Sequence, residues 1–361
     1  MLENKISRKS NFELLRIISI LLITFHHLSM TYGLDSSNMY IRLWAQFFFI
    51  GGKIGVNCFV LIGAYFLYDR NFKIERVIKI HREVVIYGVV GLLVLLALNP
   101  ETLTLKAILK AFFPILFDHY WFVTIYVALI LIAPFLNIFI RSISFKQHTT
   151  IIVLCVFLFS IIPTFTTQTP YNDNLSWFCF LYIIAAYLKK YETAIKSKLG
   201  NIYLVFILWG GIFVSSLIMT ILESRIPFLH EGVNFFSGMY ILPEFIISVS
   251  LFLIFEKKQL YSTFINHIGK HTLAFYLVQS NYSLIIFRIY LLDKVFNMFN
   301  IYLYPLIALI LVMVLFTLIT IFDIGIKKID ELKHTQVLTR IEIKIFYYVK
   351  EKILEILGGM N

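Results

Sequence analysis

The sequence predicts an all-α, polytopic integral membrane protein with about ten transmembrane helices and both termini in the cytoplasm. Of its 361 residues, 59% are hydrophobic and only 15% are charged, whereas soluble domains carry about 25% charged residues. Long apolar runs such as 14–30 and 301–322 approach the roughly 20 residues with which a helix crosses a bilayer. Lipid allows only helices or closed barrels to span it. Strict two-residue alternation is absent, so helices are predicted.

The predicted spans follow one another without a long soluble insertion. The third and sixth are short, and segment 103–117 is amphipathic, so we expect it at the interface or as a re-entrant segment. A basic stretch precedes an apolar run too long for a signal-peptide core, so the first span is expected to remain uncleaved. The predicted spans are 12–32, 44–67, 84–98, 121–140, 149–166, 177–189, 202–222, 238–256, 271–292 and 301–326.

The distribution of positive charge predicts the orientation. With the N-terminus inside, most of the 32 Lys and Arg residues fall on that side of the membrane, as cytoplasmic loops require. The excess over 21 acidic residues therefore reflects topology, and no nucleic-acid partner is expected. Cys58, Cys155 and Cys179 lie in apolar runs without metal-ligand spacing, so buried thiols and no metal site are expected.

The chain divides into a predicted transmembrane domain, 1–326, and a cytoplasmic tail, 327–361. Basic and apolar residues alternate in the tail at helical spacing, with Ile341, Ile345 and Tyr348 among the apolar ones. This pattern is typical of an amphipathic helix lying on the anionic inner leaflet. Membrane lipid is therefore an expected partner.

Two ionisable residues of the first span form the strongest candidate site. Arg16 and His27 are eleven residues apart, which is three helical turns plus about 20°, so both face one side about 16 Å apart along the axis. A guanidinium at the inner boundary suits phosphate, and a mid-membrane imidazole can exchange a proton near neutral pH. Arg16 could instead be a snorkelling anchor, and His27 an interhelical hydrogen-bond partner. His26 is offset by about 100° and is expected to face elsewhere.

A basic band follows the second span. Its members recur every three residues, a step that turns about 60° backwards on a helix, so the band drifts around the axis. It predicts a cradle for a polyanionic cofactor beside Arg16, although topology and lipid headgroups would also explain it. The predicted cofactor-binding residues are Arg16, Arg70, Lys73, Arg76, Lys79 and Arg82.

Weaker signals lie toward the outer side. Lys53 stands among glycines that allow close helix packing. Trp121 belongs to an interfacial Asp-His-Tyr-Trp-Phe segment, which an aromatic belt would also explain. Glu244, after Pro243, could bind an acceptor or pair with a neighbour.

These residues carry a resemblance to the membrane acyltransferase-3 family. Arg16 and His27 match its Arg, ten residues, His hallmark, and GVNCFVLIGAYFL is similar to its glycine–apolar–aromatic segment, with Gly63 at the usual serine position. HYWFVTIYVALILIAPFLN resembles its Trp-Phe segment. IGKHTLAFYLVQSNYSLI resembles a late segment that usually reads Tyr-Leu-x-His, but Gln279 replaces the histidine. The resemblance runs from about 12 to 326.

The resemblance implies transfer of an acyl group, mostly acetyl from cytoplasmic acetyl-CoA, to a hydroxyl of a surface polysaccharide or lipid-linked glycan. His27 would be the catalytic base or acyl relay, and Arg16 would position the CoA phosphates. Trp121, Glu244 and Tyr276 are the candidate substrate-binding residues. Tyr276, Trp121 or backbone N–H groups could each donate to an oxyanion. No SGNH hydrolase-type domain is expected, so transfer is direct or uses a polysaccharide-biosynthesis partner.

The sequence argues against two other functions. A transporter or flippase for lipid-linked sugars usually shows repeated halves, and no internal symmetry is visible. A glycan polymerase predicts a long, Arg-rich outer loop, and the outer loops are short and poor in Arg. We therefore expect an O-acetyltransferase in a bacterial plasma membrane.

Overall fold

A computed structural model describes residues 9–98, 100–166, 173–192, 200–223, 226, 232–330 and 333–358. Within these ranges the chain is helical and contains no strand, which confirms the predicted all-α class. The α-helices are α1 (Ser10–Thr31), α2 (Met39–Phe49), α3 (Gly51–Tyr68), α4 (Ile74–Leu98), α5 (Leu105–Phe112), α6 (Trp121–Ser142), α7 (Phe145–Val156), α8 (Ile162–Thr166), α9 (Asn174–Lys190), α10 (Ile202–Glu223), α11 (Leu242–Glu256), α12 (Thr263–Ile268), α13 (Thr272–Ser280), α14 (Tyr282–Asn297), α15 (Tyr304–Asp330) and α16 (Lys333–Gly358).

Seven helices in the described residues are long and apolar enough to cross a membrane. They are Ser10–Thr31, Met39–Tyr68 (α2 and α3 taken together), Ile74–Leu98, Trp121–Ser142, Phe145–Thr166 (α7 and α8 taken together), Ile202–Glu223 and Ile301–Lys328.

The other three predicted spans form shorter helices. Spans 177–189 and 238–256 correspond to α9, with 17 residues, and α11, with 15. Span 271–292 is divided into α13 and α14. The count of ten and the placement of the termini stay predictions.

The break between α13 and α14 lies at Asn281. Its backbone is extended (φ −72°, ψ 117°), so the helical hydrogen-bond ladder is interrupted there. The buried Asn281 side chain donates to the carbonyl oxygen of Tyr87, at 3.2 Å, and to the hydroxyl of Tyr120, at 2.8 Å. These bonds fix the break against α4 and the start of α6.

The helix α1 lies at the centre of the bundle and packs most extensively against α3. Glycine on α3 makes this approach possible: a Cβ added at Gly55 would lie 2.5 Å from the carbonyl oxygen of Ser19, too close for any larger residue. Such close helix packing through small residues is common in membranes. The sequence expectation for the glycines around Lys53 is met here.

The C-terminal segment is helical from Lys333 to Gly358, as α16. Its apolar residues Ile341, Ile345 and Tyr348 are exposed. Side chains of 353 and 357 lie outside the described residues. The preceding helix α15 continues across position 326 to Asp330, so the boundary between domain and tail stays a prediction.

Candidate active site

A cavity of about 1120 Å³ lies within the bundle. Its wall is built from α1, α3, α4, α6, α13 and α15, together with the segment around α12. Basic side chains line the part near the start of α1 and α4, and apolar side chains line the part nearer the middle of these helices. We call the first part the basic end (Arg16, Arg70, Arg76, Lys79, Lys270 and Lys327) and the second the apolar end (Ile20, Ile23, Val56, Phe59, Phe122 and Val123).

Arg16 lies on the cavity wall at the basic end. One of its guanidinium nitrogens, Nη1, donates to a carboxylate oxygen of Glu13 at 2.8 Å. This bond uses one of the five N–H donors of a guanidinium. The others leave Arg16 able to bind a phosphate oxygen while Glu13 holds the side chain in place.

Only some members of the predicted basic band line the cavity, because they lie at different angles around the helix. The chain turns at 69–73, and α4 begins at Ile74, so most of the band is helical. Arg70, Arg76 and Lys79 line the cavity, whereas Lys73 and Arg82 do not. Backward steps of about 60° carry successive members around the helix, and one wall cannot hold them all. A cofactor role for any of these residues stays a prediction.

His27 continues the stripe of α1 that lines the cavity. Arg16, Ile20 and Ile23 belong to the wall, and His27 follows Ile23 by four residues, about 6 Å farther along the axis. Its half-buried ring is not itself among the described side chains that line the cavity. His27 thus lies one turn beyond the apolar end, and the face that its ring would share with Arg16 stays a prediction.

His26 faces a different way, as expected. Its Nδ1 lies 2.7 Å from the carbonyl oxygen of Phe49, and its ring stacks on the Phe49 ring with centroids 4.1 Å apart. The His26 and His27 rings meet edge to face, with centroids 5.6 Å apart. His26 is buried and in contact with Phe49 and His27, so it serves as a packing residue for α1.

Tyr276 lies at the apolar end of the cavity, on α13. Its ring is 6% exposed, and its hydroxyl oxygen accepts a hydrogen bond from the backbone N–H of Phe122 at 3.3 Å. Gln279, one turn later, is buried and is not among the described residues on the cavity wall.

Trp121 and Glu244, the other two predicted substrate-binding residues, are linked through Lys53. The Lys53 ammonium lies 5.7 Å from the centre of the Trp121 ring, a cation–π distance, and it interacts electrostatically with Glu244. Glu244 is fully buried, and neither carboxylate oxygen has a hydrogen-bond partner among the described residues. An unsatisfied buried acid is costly and typical of a functional site.

A cluster around Asp323 at the basic end was not predicted from the sequence. Asp323 is fully buried, and its Oδ2 lies 2.6 Å from His271 Nδ1 and 2.6 Å from Lys327 Nζ. The Tyr87 hydroxyl donates to Oδ1 at 2.8 Å. The available signal was an acidic residue inside the last apolar run, four residues before a lysine, the spacing of a helical ion pair.

The described residues hold no group of three or more His, Cys, Asp and Glu that could bind a metal ion. The chain does match a family model described as an acyltransferase domain, over residues 9–324. The chain belongs to the acyltransferase-3 family. The match includes the whole cavity wall except for Ile326 and Lys327. No curated protein and no solved structure matches the chain.

Membership in the acyltransferase-3 family confirms the resemblance found in the sequence. Together with seven helices of spanning length, it indicates a multi-pass membrane acyltransferase. The cavity is accordingly the candidate active site.

Proposed function

We propose that the protein transfers an acetyl group from cytoplasmic acetyl-CoA to a hydroxyl of a surface glycan or its lipid-linked precursor, in a bacterial plasma membrane. The main support for this proposal is the cavity, because a single cavity has both a cationic end and an apolar end. Its volume of about 1120 Å³ is slightly above the range of about 300–1,000 Å³ for pockets that hold small ligands. A donor as large as CoA fits such a space.

The basic end supports a phosphate-bearing donor. Arginine forms bidentate hydrogen bonds with phosphate oxygens and keeps its charge at any physiological pH. Arg70 and Arg76 stand on the wall with Lys79. Because loops rich in Lys and Arg face the cytoplasm, this end opens toward the compartment that supplies acetyl-CoA.

The apolar end supports a thioester arm that extends toward mid-membrane. Ile23 and Phe59 offer a dry surface for pantetheine and the acyl group, where electrostatic stabilisation of a transition state is stronger than in water. The acyl carbon then approaches His27, one turn beyond Ile23. His27 takes the proton of the acceptor hydroxyl as that oxygen attacks the carbonyl carbon, and the CoA thiolate leaves and is protonated.

An acceptor on the outer side is supported by Trp121, Lys53 and Glu244. An indole face packs on the apolar face of a sugar ring, and a buried carboxylate whose oxygens have no hydrogen-bond partner among the described residues can accept bonds from sugar hydroxyls. Arg16 would act on the donor, as the group that positions its phosphates.

Reconstitution tests the proposal directly. Purified protein in liposomes, supplied with radiolabelled acetyl-CoA outside and a lipid-linked glycan acceptor, should form an alkali-labile acetyl ester on the acceptor. Mass spectrometry of surface glycan from cells with and without the chain should show the same ester only when the chain is present. Glycans of identical mass in the two strains would reject the proposal.

A further inference from the structure

Tyr276 has a hydroxyl group held in place by a helix terminus. Phe122 is the second residue of α6, so its N–H belongs to the first turn, whose donors lack intrahelical acceptors. The residue before the helix, Tyr120, supplies no side-chain cap. The Tyr276 oxygen accepts the Phe122 N–H at 3.3 Å and so performs part of that capping from another helix.

This bond prepares the Tyr276 hydroxyl as a donor. A phenolic hydroxyl has one hydrogen to donate besides its acceptor capacity, so after accepting from Phe122 it can still donate that hydrogen, either to the neighbouring Ser280 side chain or to a ligand atom. The start of α6 carries the positive end of the helix dipole, and a donor that itself accepts a bond is polarised further. Both effects favour a negatively charged atom next to the Tyr276 hydroxyl.

The other tyrosines on the described wall lie in a different environment. Tyr126 interacts electrostatically with Arg16, Arg70 and Arg76, which places its hydroxyl among the groups suited to phosphate. Tyr261 is 71% exposed and precedes α12, outside the apolar end. Trp121, the other side-chain candidate from the sequence, is not on the cavity wall. Tyr276 is therefore the tyrosine with its hydroxyl at the apolar end.

We propose that the Tyr276 hydroxyl is the oxyanion donor of the acyl transfer, an assignment that rests on the proposed function. The acceptor oxygen forms a bond to the thioester carbonyl carbon, its proton passes to His27, and the electron pair of the C=O bond moves to the carbonyl oxygen. Tyr276 donates its hydrogen bond to that oxyanion. The C=O bond then re-forms, the C–S bond breaks, and the thiolate sulfur receives the proton from His27.

A single-atom change tests the assignment. Tyr276→Phe keeps the ring and removes the donor, and it should lower kcat by about 10²- to 10³-fold, the loss typical of one oxyanion-hole donor, with a much smaller rise in the KM for acetyl-CoA, because a neutral carbonyl oxygen accepts the same hydrogen bond more weakly than an oxyanion does. Tyr182→Phe is the matched control. Tyr182 is fully buried and donates to Asn137 at 2.7 Å, but it lies off the cavity wall. Its variant should retain kcat within about threefold.

Two non-reacting donors separate a catalytic role from a structural one. One is a ketone analogue of acetyl-CoA, in which a methylene replaces the sulfur, and the other is S-ethyl-CoA, which lacks the carbonyl. Tyr276→Phe should weaken binding of the ketone analogue and leave binding of S-ethyl-CoA unchanged. Equal weakening of both would mean that the hydroxyl only holds α6 and α13 together, and would overturn the assignment.

Failure of the proposed function and failure of the Tyr276 assignment give different experimental results. A wild-type protein without acetyl-CoA-dependent transfer rejects the proposed function, and this assignment with it. An active wild type with an unimpaired Tyr276→Phe variant rejects only the assignment. If that variant cannot be recovered folded, the wild type is assayed with the dithioester of CoA, whose sulfur replaces the carbonyl oxygen and accepts hydrogen bonds poorly. Turnover of the dithioester as fast as acetyl-CoA would overturn the assignment.

Discussion

Asp323 Oδ2 lies 2.6 Å from His271 Nδ1, so α15 is joined to the segment that begins α13. The same carboxylate accepts from Tyr87 on α4 and from Lys327. Three elements of the cavity wall are therefore held by one buried acid. These bonds tie the wall together on that side.

Replacing that acid should destabilise the protein strongly. Asp323→Ala leaves His271 and Lys327 without their buried partner, and removing one member of a buried charged network costs about 3–5 kcal/mol. The free energy of unfolding in mixed micelles measures this loss. Asp293→Ala is the control, because Asp293 is exposed on α14 and bonds Asn297 within its own helix. Similar stabilities for the two variants would contradict the role given to Asp323.

Gly63 should resist substitution because of Tyr126. A Cβ at position 63 would overlap the Tyr126 hydroxyl, which lines the cavity. Gly63→Ala should cost about 1–3 kcal/mol of stability by overpacking and should weaken donor binding. The double variant with Tyr126→Phe should recover part of the stability, since it removes the overlapping oxygen. Recovery is partial because ring carbons remain about 3 Å away.

Gly210→Ala supplies the control for that series. An added Cβ at Gly210 meets nothing within 4 Å, so only helix propensity changes, which favours alanine by up to about 1 kcal/mol. The variant should be neutral or slightly more stable. A loss at Gly210 equal to that at Gly63 would show that steric overlap with Tyr126 is not the cause.

Arg76 should contribute to donor binding at the basic end. Arg76→Gln removes the positive charge and the paired N–H donors of the guanidinium. A hydrogen bond to a charged group is worth about 1.5–3 kcal/mol. The Kd for a non-reacting CoA analogue, measured by titration calorimetry, should rise about 10- to 100-fold and depend less steeply on salt. Lys146→Gln removes an exposed charge at the start of α7, off the cavity wall, and should leave the Kd unchanged. Equal effects would indicate general electrostatic attraction rather than a site.

The tail helix α16 should lie on anionic lipid. Its exposed apolar side chains Ile341, Ile345 and Tyr348 lie on the same segment as Lys344 and Arg340. In nanodiscs of the full chain, backbone amides of 340–350 should exchange with deuterium more slowly in phosphatidylglycerol than in phosphatidylcholine. Ile345→Asp should remove the difference. Equal exchange in both lipids would reject a lipid partner for α16.

The features that depend on local periodicity could be predicted from the sequence. Helical class and the start of α1 follow from apolar runs and a 3.6-residue repeat. The break at Asn281 could not be predicted, because it depends on bonds to Tyr87 and Tyr120, far away in the chain. Without knowledge of those partners, the sequence predicts one continuous span over 271–292.

The candidate site, too, could be predicted only in part from the sequence. A charge repeat places Arg70, Arg76 and Lys79 near one another, but only the packed helices decide which members of the band reach the cavity. Asp323 was missed because its cost in the membrane is offset by His271, a residue of another segment. The link from Lys53 to Trp121 and Glu244 likewise joins three separate helices.

The central claim is that the His27 imidazole takes the proton of the acceptor hydroxyl during acyl transfer. The most direct measurement is the rate of acetyl transfer by His27→Ala and by His81→Gln, each at wild-type expression and in the same liposomes. His81 lies on α4, off the cavity wall, so its variant should remain active. We predict that His27→Ala loses at least about 10²-fold, the lower end of what a general base supplies. Transfer at the wild-type rate by His27→Ala would contradict the account.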